Sequence, residues 1–321
     1  LELTSNPASM YLYVLTSHIN SRPVPYDRID WPTLESWHQW CDEHGYEVNA
    51  VISREQPRDK LLQAICTAGR AHPGRIDGKY TVILDAERTT PIQHFTPRNS
   101  WGFSGQKEFP EKPHALKVSF INADMGWQSD ERIVYDEGYN GDGSGGLTPA
   151  SRFQKVDGWG ITTAEQAWKT GRYMLAVTRL RPEIFSINVD IEHLVCTRGD
   201  RVLVSHDVPL YGIASGRITT LTADGSGYIT HLGVDELLSM EDGKTYGLTI
   251  RRSDGTFLTA QLVTAAGDWY EVELSTPVAP AESPSTGDLF SYGEWGRETV
   301  DMIITGIEPA EEMFGKIMSI S

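Results

Sequence analysis

Carboxylates are the commonest reactive groups in this chain, 44 of them against 28 lysines and arginines. Paired acids occur at Asp130-Glu131, Asp136-Glu137, Asp235-Glu236, Glu241-Asp242 and Glu311-Glu312. Glycoside cleavage needs two carboxyl groups ~5–10 Å apart across one bond. Neighbouring residues on a strand point to opposite faces, so adjacent acids do not supply that geometry by themselves. Nucleophilic hydrolysis has no better candidate. Ser104 in Gly102-Phe103-Ser104-Gly105 lacks the spacing of a nucleophile elbow. His206-Asp207 falls at a strand end and reads as a turn. The nine histidines are scattered, and His38 and His44 lie on different faces of one expected helix, which argues against a zinc pair.

Glycine-rich chemistry is equally thin. Asn140, Asp142 and Ser144 alternate as in half of a calcium loop, but the twelfth position is Ser151 where a bidentate glutamate belongs. Gly141, Gly143 and Gly146 fit the dinucleotide-binding spacing without a preceding strand or a following apolar helix. The run 138–146 reads as a mobile loop. Arg198-Gly199-Asp200 reads as a turn feeding a strand. Cys41, Cys66 and Cys196 are far apart and odd in number, which fits buried thiols better than a disulfide framework. No catalytic, cofactor-binding or metal-binding residues are expected, and no cofactor.

The elements around these residues can be read from caps and periodicity. Asn6-Pro7 opens a helix over Ala8 to His18, and Asp30 is expected to cap a second from Trp31 to His44, ended by Gly45. Leu34, Trp37, Trp40 and Cys41 share a face of the second. Tyr46 to Ile52 reads as a strand. A third helix, Arg58 to Ala71, carries Leu61, Leu62, Ile65 and Cys66 as its stripe. Asp77-Gly78 then makes a hairpin between Gly74–Ile76 and Tyr80–Leu84. A second hairpin is expected between Ala115–Asn122 and Glu131–Tyr135, turning at Ala123-Asp124-Met125-Gly126. Thr162 or Thr163 caps the longest helix, Ala164 to Arg181, with Ala164, Ala167, Trp168, Gly171, Met174, Leu175 and Thr178 on one stripe. From residue 183 short strands recur: 184–191, 201–205, 212–222, 228–232, 245–251, 257–263, 270–274, 289–295 and 299–307. Their spacing, with Asp242-Gly243 and Asp254-Gly255 as turns, fits an antiparallel barrel or sandwich. The fold class is α+β and β-rich: an α+β domain at 1–90, a hairpin region with the glycine-rich loop and long helix at 91–182, and a barrel or sandwich at 183–321.

A chain of 321 residues, 39 % apolar, can bury an ordinary core; 30 glycines and 17 prolines suit a turn-rich β protein. A net charge of −16 argues against a surface built to grip DNA phosphates. No apolar run approaches the ~20 residues that a helical membrane span needs. The first residue is Leu and Ser5-Asn6-Pro7-Ala8 is already a helix cap, so the chain is expected to be a piece of a longer polypeptide.

The stretch Thr96 to Tyr135, TPRNSWGFSGQKEFPEKPHALKVSFINADMGWQSDERIVY, resembles a segment of the phage tail-tip family, the host-specificity or tip-attachment proteins that end lambda-like, long non-contractile tails. Four further segments are similar to that family in the same order. They are Leu61 to Arg70 followed by Ile76-Asp77-Gly78-Lys79-Tyr80; Thr163 through Arg181; Phe185 to Val204 with Cys196-Thr197-Arg198-Gly199-Asp200-Arg201-Val202; and Thr305-Gly306-Ile307-Glu308-Pro309-Ala310. Together they span most of residues 50–310. The resemblance implies a structural tail hub of a phage, prophage or gene transfer agent. It would be a homotrimer in the virion tail, made in the bacterial host cytoplasm. It would contact distal tail or tube proteins, the tape measure protein and tail-fibre regions, and let DNA pass without specific binding. The acidic excess would then line the lumen. Two other readings stay open: a cell-wall or glycan-cleaving tail enzyme domain, and a carbohydrate-binding module presenting Trp101, Trp127, Trp159, Trp269 or Trp295.

Overall fold

A computed structural model describes residues 3–18, 20–53, 55–107, 111–206, 211–310 and 313–321. Helix α1 (Pro7–Thr16) starts where Asn6 accepts the amide of Ala8 at 2.9 Å. It is two residues shorter at its C-terminal end than expected. Helix α2 (Trp31–His44) ends at Gly45, whose φ of 65° is left-handed. Asp30 precedes α2 but makes no side-chain cap, its carboxylate accepting instead from the Thr81 hydroxyl at 2.8 Å. Helix α3 (Arg58–Ala68) also stops short of expectation, because Ala71 already begins the hairpin β1 (Ala71–Ile76)–β2 (Lys79–Leu84). Asp77 and Gly78, at φ 51° and 76°, form its turn.

The chain continues through β3 (Gln93–Phe95), β4 (Ser100–Lys107), β5 (Ala115–Asn122) and β6 (Gln128–Tyr135). Short strands β7 (Tyr139–Asn140) and β8 (Thr148–Pro149) close the glycine-rich loop, and β9 (Phe153–Asp157) leads to α4 (Ala164–Leu180). Then come β10 (Glu183–Val189), β11 (Arg201–Val204), β12 (Ala214–Ala223), β13 (Ile229–Met240), β14 (Tyr246–Arg251), β15 (Phe257–Gln261), β16 (Gly267–Val278), β17 (Leu289–Glu294), β18 (Val300–Pro309) and β19 (Gly315–Ile320). The fold is α+β and rich in strands.

Two compact units result, one of residues 1–86 with 109–182, the other of 87–108 with 183–321. In the first unit α1, α2, α3 and the β1–β2 hairpin share one core. Tyr11, Leu15, Trp37, Cys41, Ile65 and Cys66 are sealed in it. The Trp37 indole N–H donates to the Gly69 carbonyl at 2.9 Å, and its ring meets Tyr11 edge-on. A second core lies between α4 and a three-stranded sheet of order β6-β5-β9. β5 and β6 pair antiparallel in unbroken register, as their alternation requires. β9 adds parallel to β5, a pairing that local pattern does not announce. Ala167, Gly171 and Leu175 of the α4 stripe are buried, whereas Trp168 is exposed. Gly171 is required there: a Cβ would stand 2.7 Å from Val134 Cγ2.

The expected strand Tyr46 to Ile52 is irregular backbone. Its amides go singly to separate places, Val48 to the Ser5 carbonyl and Asn49 to the Gly160 carbonyl, so no ladder forms.

The second unit holds two six-stranded sheets, of order β3-β11-β18-β19-β10-β4 and β15-β14-β17-β12-β13-β16. The latter closes on itself: Leu262 bridges Leu274, and the Val263 N–H donates to the Glu273 carbonyl at 2.9 Å, bringing β15 to β16. Leu232, Leu248, Ile250, Phe290 and Tyr292 fill its interior. Phe95, Val189, Val202, Ile304 and Ile317 form the core of the other sheet. β19 was not foreseen from the sequence, and β13 and β16 run longer than their expected spans.

Candidate functional site

The paired acids contact groups in their own surroundings. Asp130 accepts from the Asn122 amide at 2.8 Å, and that bond keeps its carboxyl below the usual range; Glu131 meets Lys155 at 2.7 Å. Asp136 and Glu137 both meet Arg179 of α4, at 3.3 and 2.7 Å. Asp235 accepts the Arg217 amide at 2.6 Å, and Glu236 pairs with Arg98 at 2.9 Å. Glu241 and Glu294 each lie 3.0 Å from Lys244, which their carboxylates push upward. Glu311-Glu312 lie outside the described residues. In each described pair at least one carboxylate meets a cation or an amide of its own surroundings.

Other sequence candidates resolve locally. His38 meets Asp42 at 3.1 Å, and His44 bonds the Trp40 carbonyl at 2.9 Å. His206 stacks on Phe103, while Asp207 is outside the described residues. The Ser104 hydroxyl bonds Ser186 at 2.8 Å, and among the described residues no imidazole. In the glycine-rich loop the Asn140 side chain accepts from the Gly143 amide at 2.6 Å, and Asp142 accepts from the Ser144 amide at 3.0 Å. These oxygens turn onto their own backbone, as Asx turns do, and do not converge on a cation. The glycines lead into β8, not a helix. Arg198-Gly199-Asp200 is a turn in which Asp200 accepts from the Thr197 amide at 2.7 Å and hydroxyl at 2.9 Å. Among the described residues no group of three or more His, Cys, Asp or Glu is placed to hold a metal ion.

Two polar clusters were invisible in the sequence. Asp85, at the end of the β1–β2 hairpin, receives both ends of the Arg181 guanidinium, at 2.7 and 3.0 Å, and the Tyr173 hydroxyl. Burial alone would raise this carboxyl, but Arg181 and Tyr173 outweigh it and hold it low. His94 of β3 bonds the Ser291 hydroxyl of β17 at 2.7 Å across 197 positions. A serine–imidazole contact suggests nucleophilic catalysis, but both side chains are fully buried and no substrate can reach them. Nothing local to Gln93-His94-Phe95 signals the pairing.

A broad concavity lies in the first unit, at the turn of the β5–β6 hairpin. It is an open groove of about 850 Å³ bounded by the end of β5, the start of β6, the end of β9 with residues 158–160, and residues 48–51. Gly160, at φ 77°, lets the latter segment close in, since a Cβ would stand 2.5 Å from Val48 Cγ2. The hairpin turn presents Trp127 over the groove, and its φ of 63° is strained for a bulky residue. Trp127 is 63 % exposed, Trp159 packs half-buried on the helical core, and Trp101, Trp269 and Trp295 are each partly exposed in the second unit.

No known family profile matches the chain, and no curated protein matches it. Among solved structures it is similar to the tail protein from Neisseria meningitidis MC58, with TM-score 0.39 and 10 % identity, covering 82 % of this chain and 66 % of that one. It is also similar to the prophage MuSo2 43 kDa tail protein from Shewanella oneidensis, with TM-score 0.28 and 13 % identity, covering 80 % of this chain and 61 % of that one. The chain thus spans less than two thirds of the length of either.

Proposed function

We propose that this chain is a structural component of a phage or prophage tail, and within the tail a part of the tip hub. The observation that carries this reading is the ordered series of tail-tip-like segments through residues 50–310. Those segments correspond to packing elements: α3 with the β1–β2 hairpin, the β5–β6 hairpin, α4, β10–β11 and β18. The carboxylate pairs that a glycan-cleaving reading would need are occupied in salt bridges and amide contacts, which fits an assembly protein. On this reading three copies close the tube, contact tube, distal tail and tape measure proteins, and support fibre regions. The net charge of −16 lines the passage so that DNA slides by without adhering.

Immunogold microscopy of the particle that carries the chain tests the reading. Label is expected at the tail end farthest from the head. Label on the head or along the tube, or none on any particle, would overturn it. Light scattering tests the trimer separately, at three times the 35.8 kDa chain mass.

A further inference from the structure

Sequence and structure disagree at the rim of the hairpin groove. Tyr46 to Ile52 has the alternation of a strand, yet no strand among the described residues pairs with it. The backbone of residues 50–53 has no hydrogen bond to any other described residue. Val51 is 91 % exposed and Ile52 is exposed beside it. Val51 also lines the groove, with Ile121 and Trp127 exposed on the opposite side. Backbone without hydrogen-bond partners among the described residues, next to an exposed apolar surface, is what strand addition uses: main-chain bonds give affinity, and pockets for alternate side chains give selectivity.

The charge of the groove narrows the partner. Among the described residues Asp157 is the one ionisable side chain lining it, and it makes no ion pair with another of them. Among the described lining residues an anionic partner meets no cation, only this carboxylate. A cation at the end of an apolar segment meets an available carboxylate.

We infer that residues 50–53 and the groove receive an extended segment of another polypeptide, added as a strand. It carries apolar side chains at alternate positions and a lysine or arginine that meets Asp157. The inference rests on backbone pairing, exposure and charge, and stands whether or not the chain belongs to a phage tail.

The test pans a displayed library of random ten-residue peptides on the whole chain, then measures the enriched peptides as synthetic compounds by calorimetry. Val51 is so exposed that Val51→Asp leaves the fold intact, which a thermal melt verifies. The expected peptides alternate apolar and polar residues and contain Lys or Arg. Val51→Asp weakens them about tenfold or more. Asp157→Asn weakens the cationic peptides severalfold and spares versions with the cation replaced by glutamine. N-methylation of alternate peptide amides abolishes binding. Failure to enrich any peptide sensitive to Val51→Asp, enrichment of acidic peptides, or binding of chitohexaose in the groove in place of peptides would each overturn the inference.

Discussion

At the scale of single residues, His94 decides how the second unit answers to acid. It is wholly enclosed; its ring bonds the Ser291 hydroxyl and meets Phe257 edge-on. Burial pushes its pKa down to about 3, and Arg251 adds to the shift. The unfolded chain takes up this proton near pH ~6.5. Between those values the unfolded state therefore binds a proton that the folded state refuses. The stability due to neutral His94 is complete above pH ~6.5 and falls as the pH drops toward 3, by as much as ~1.4 kcal/mol per unit. Urea denaturation at pH 7, 5.5 and 4.5 should show a steeper loss for the natural chain than for His94→Gln. Parallel losses would show that His94 is not held neutral. The cysteines make a second residue-scale case. Cys41, Cys66 and Cys196 are free and buried, and burial pushes Cys41 and Cys196 up to about 12 and Cys66 higher still. Since the thiolate is the reactive form, Ellman's reagent at pH 8 should titrate none of the three in the native protein and all three in urea. One fast thiol without denaturant would contradict the packing.

At the scale of elements, α4 shows what the sequence made legible and what it did not. Its start was readable because the cap is local: the Thr163 hydroxyl accepts the Gln166 amide at 3.3 Å. Thr163→Ala should lower stability by ~1 kcal/mol, read as a shift in denaturation midpoint; no shift would mean that the cap carries nothing. Its stripe was readable in part. Periodicity placed Gly171 and Leu175 on the core side, and both are buried there. The same stripe included Trp168, which is exposed, because the three strands beneath the helix are too few to cover a wide face. Gly171→Val should cost ~1–3 kcal/mol or more by overpacking against Val134, in spite of valine's better helix propensity. A neutral result would mean that helix and sheet separate easily. Hairpins were legible through their turns, Asp77-Gly78 and residues 123–126. The β9–β5 pairing, the closure of β15 on β16 and the contact of His94 with Ser291 were not, because each joins residues far apart in sequence. Tyr46 to Ile52 fails in the opposite sense: the alternation is real, but a strand needs a partner and none of the described residues pairs with it.

At the scale of the whole molecule, the balance of charge rather than any single group governs contact with nucleic acid. The net charge is −16, and many of the 28 cations are already committed. Arg98, Lys107, Lys155, Arg179, Arg181, Arg201 and Lys244 all stand within 3 Å of a carboxylate oxygen. A phosphate approaching any of them must displace an anion that the fold already holds in place, so binding releases few counterions from the DNA and gains little. The surrounding excess of carboxylates repels the duplex at longer range, within a Debye length of ~10 Å at 0.1 M salt. Even low salt, which strengthens protein–DNA contacts most, should therefore produce no complex. A duplex of about 60 base pairs should migrate unshifted in a native gel with tens of micromolar protein at ~50 mM salt. Raising the salt should change nothing, since there is no attraction to screen. A retarded band that disappears as salt rises would reveal a continuous positive track. That result would remove the physical basis for an electronegative passage, whatever the particle to which the chain belongs.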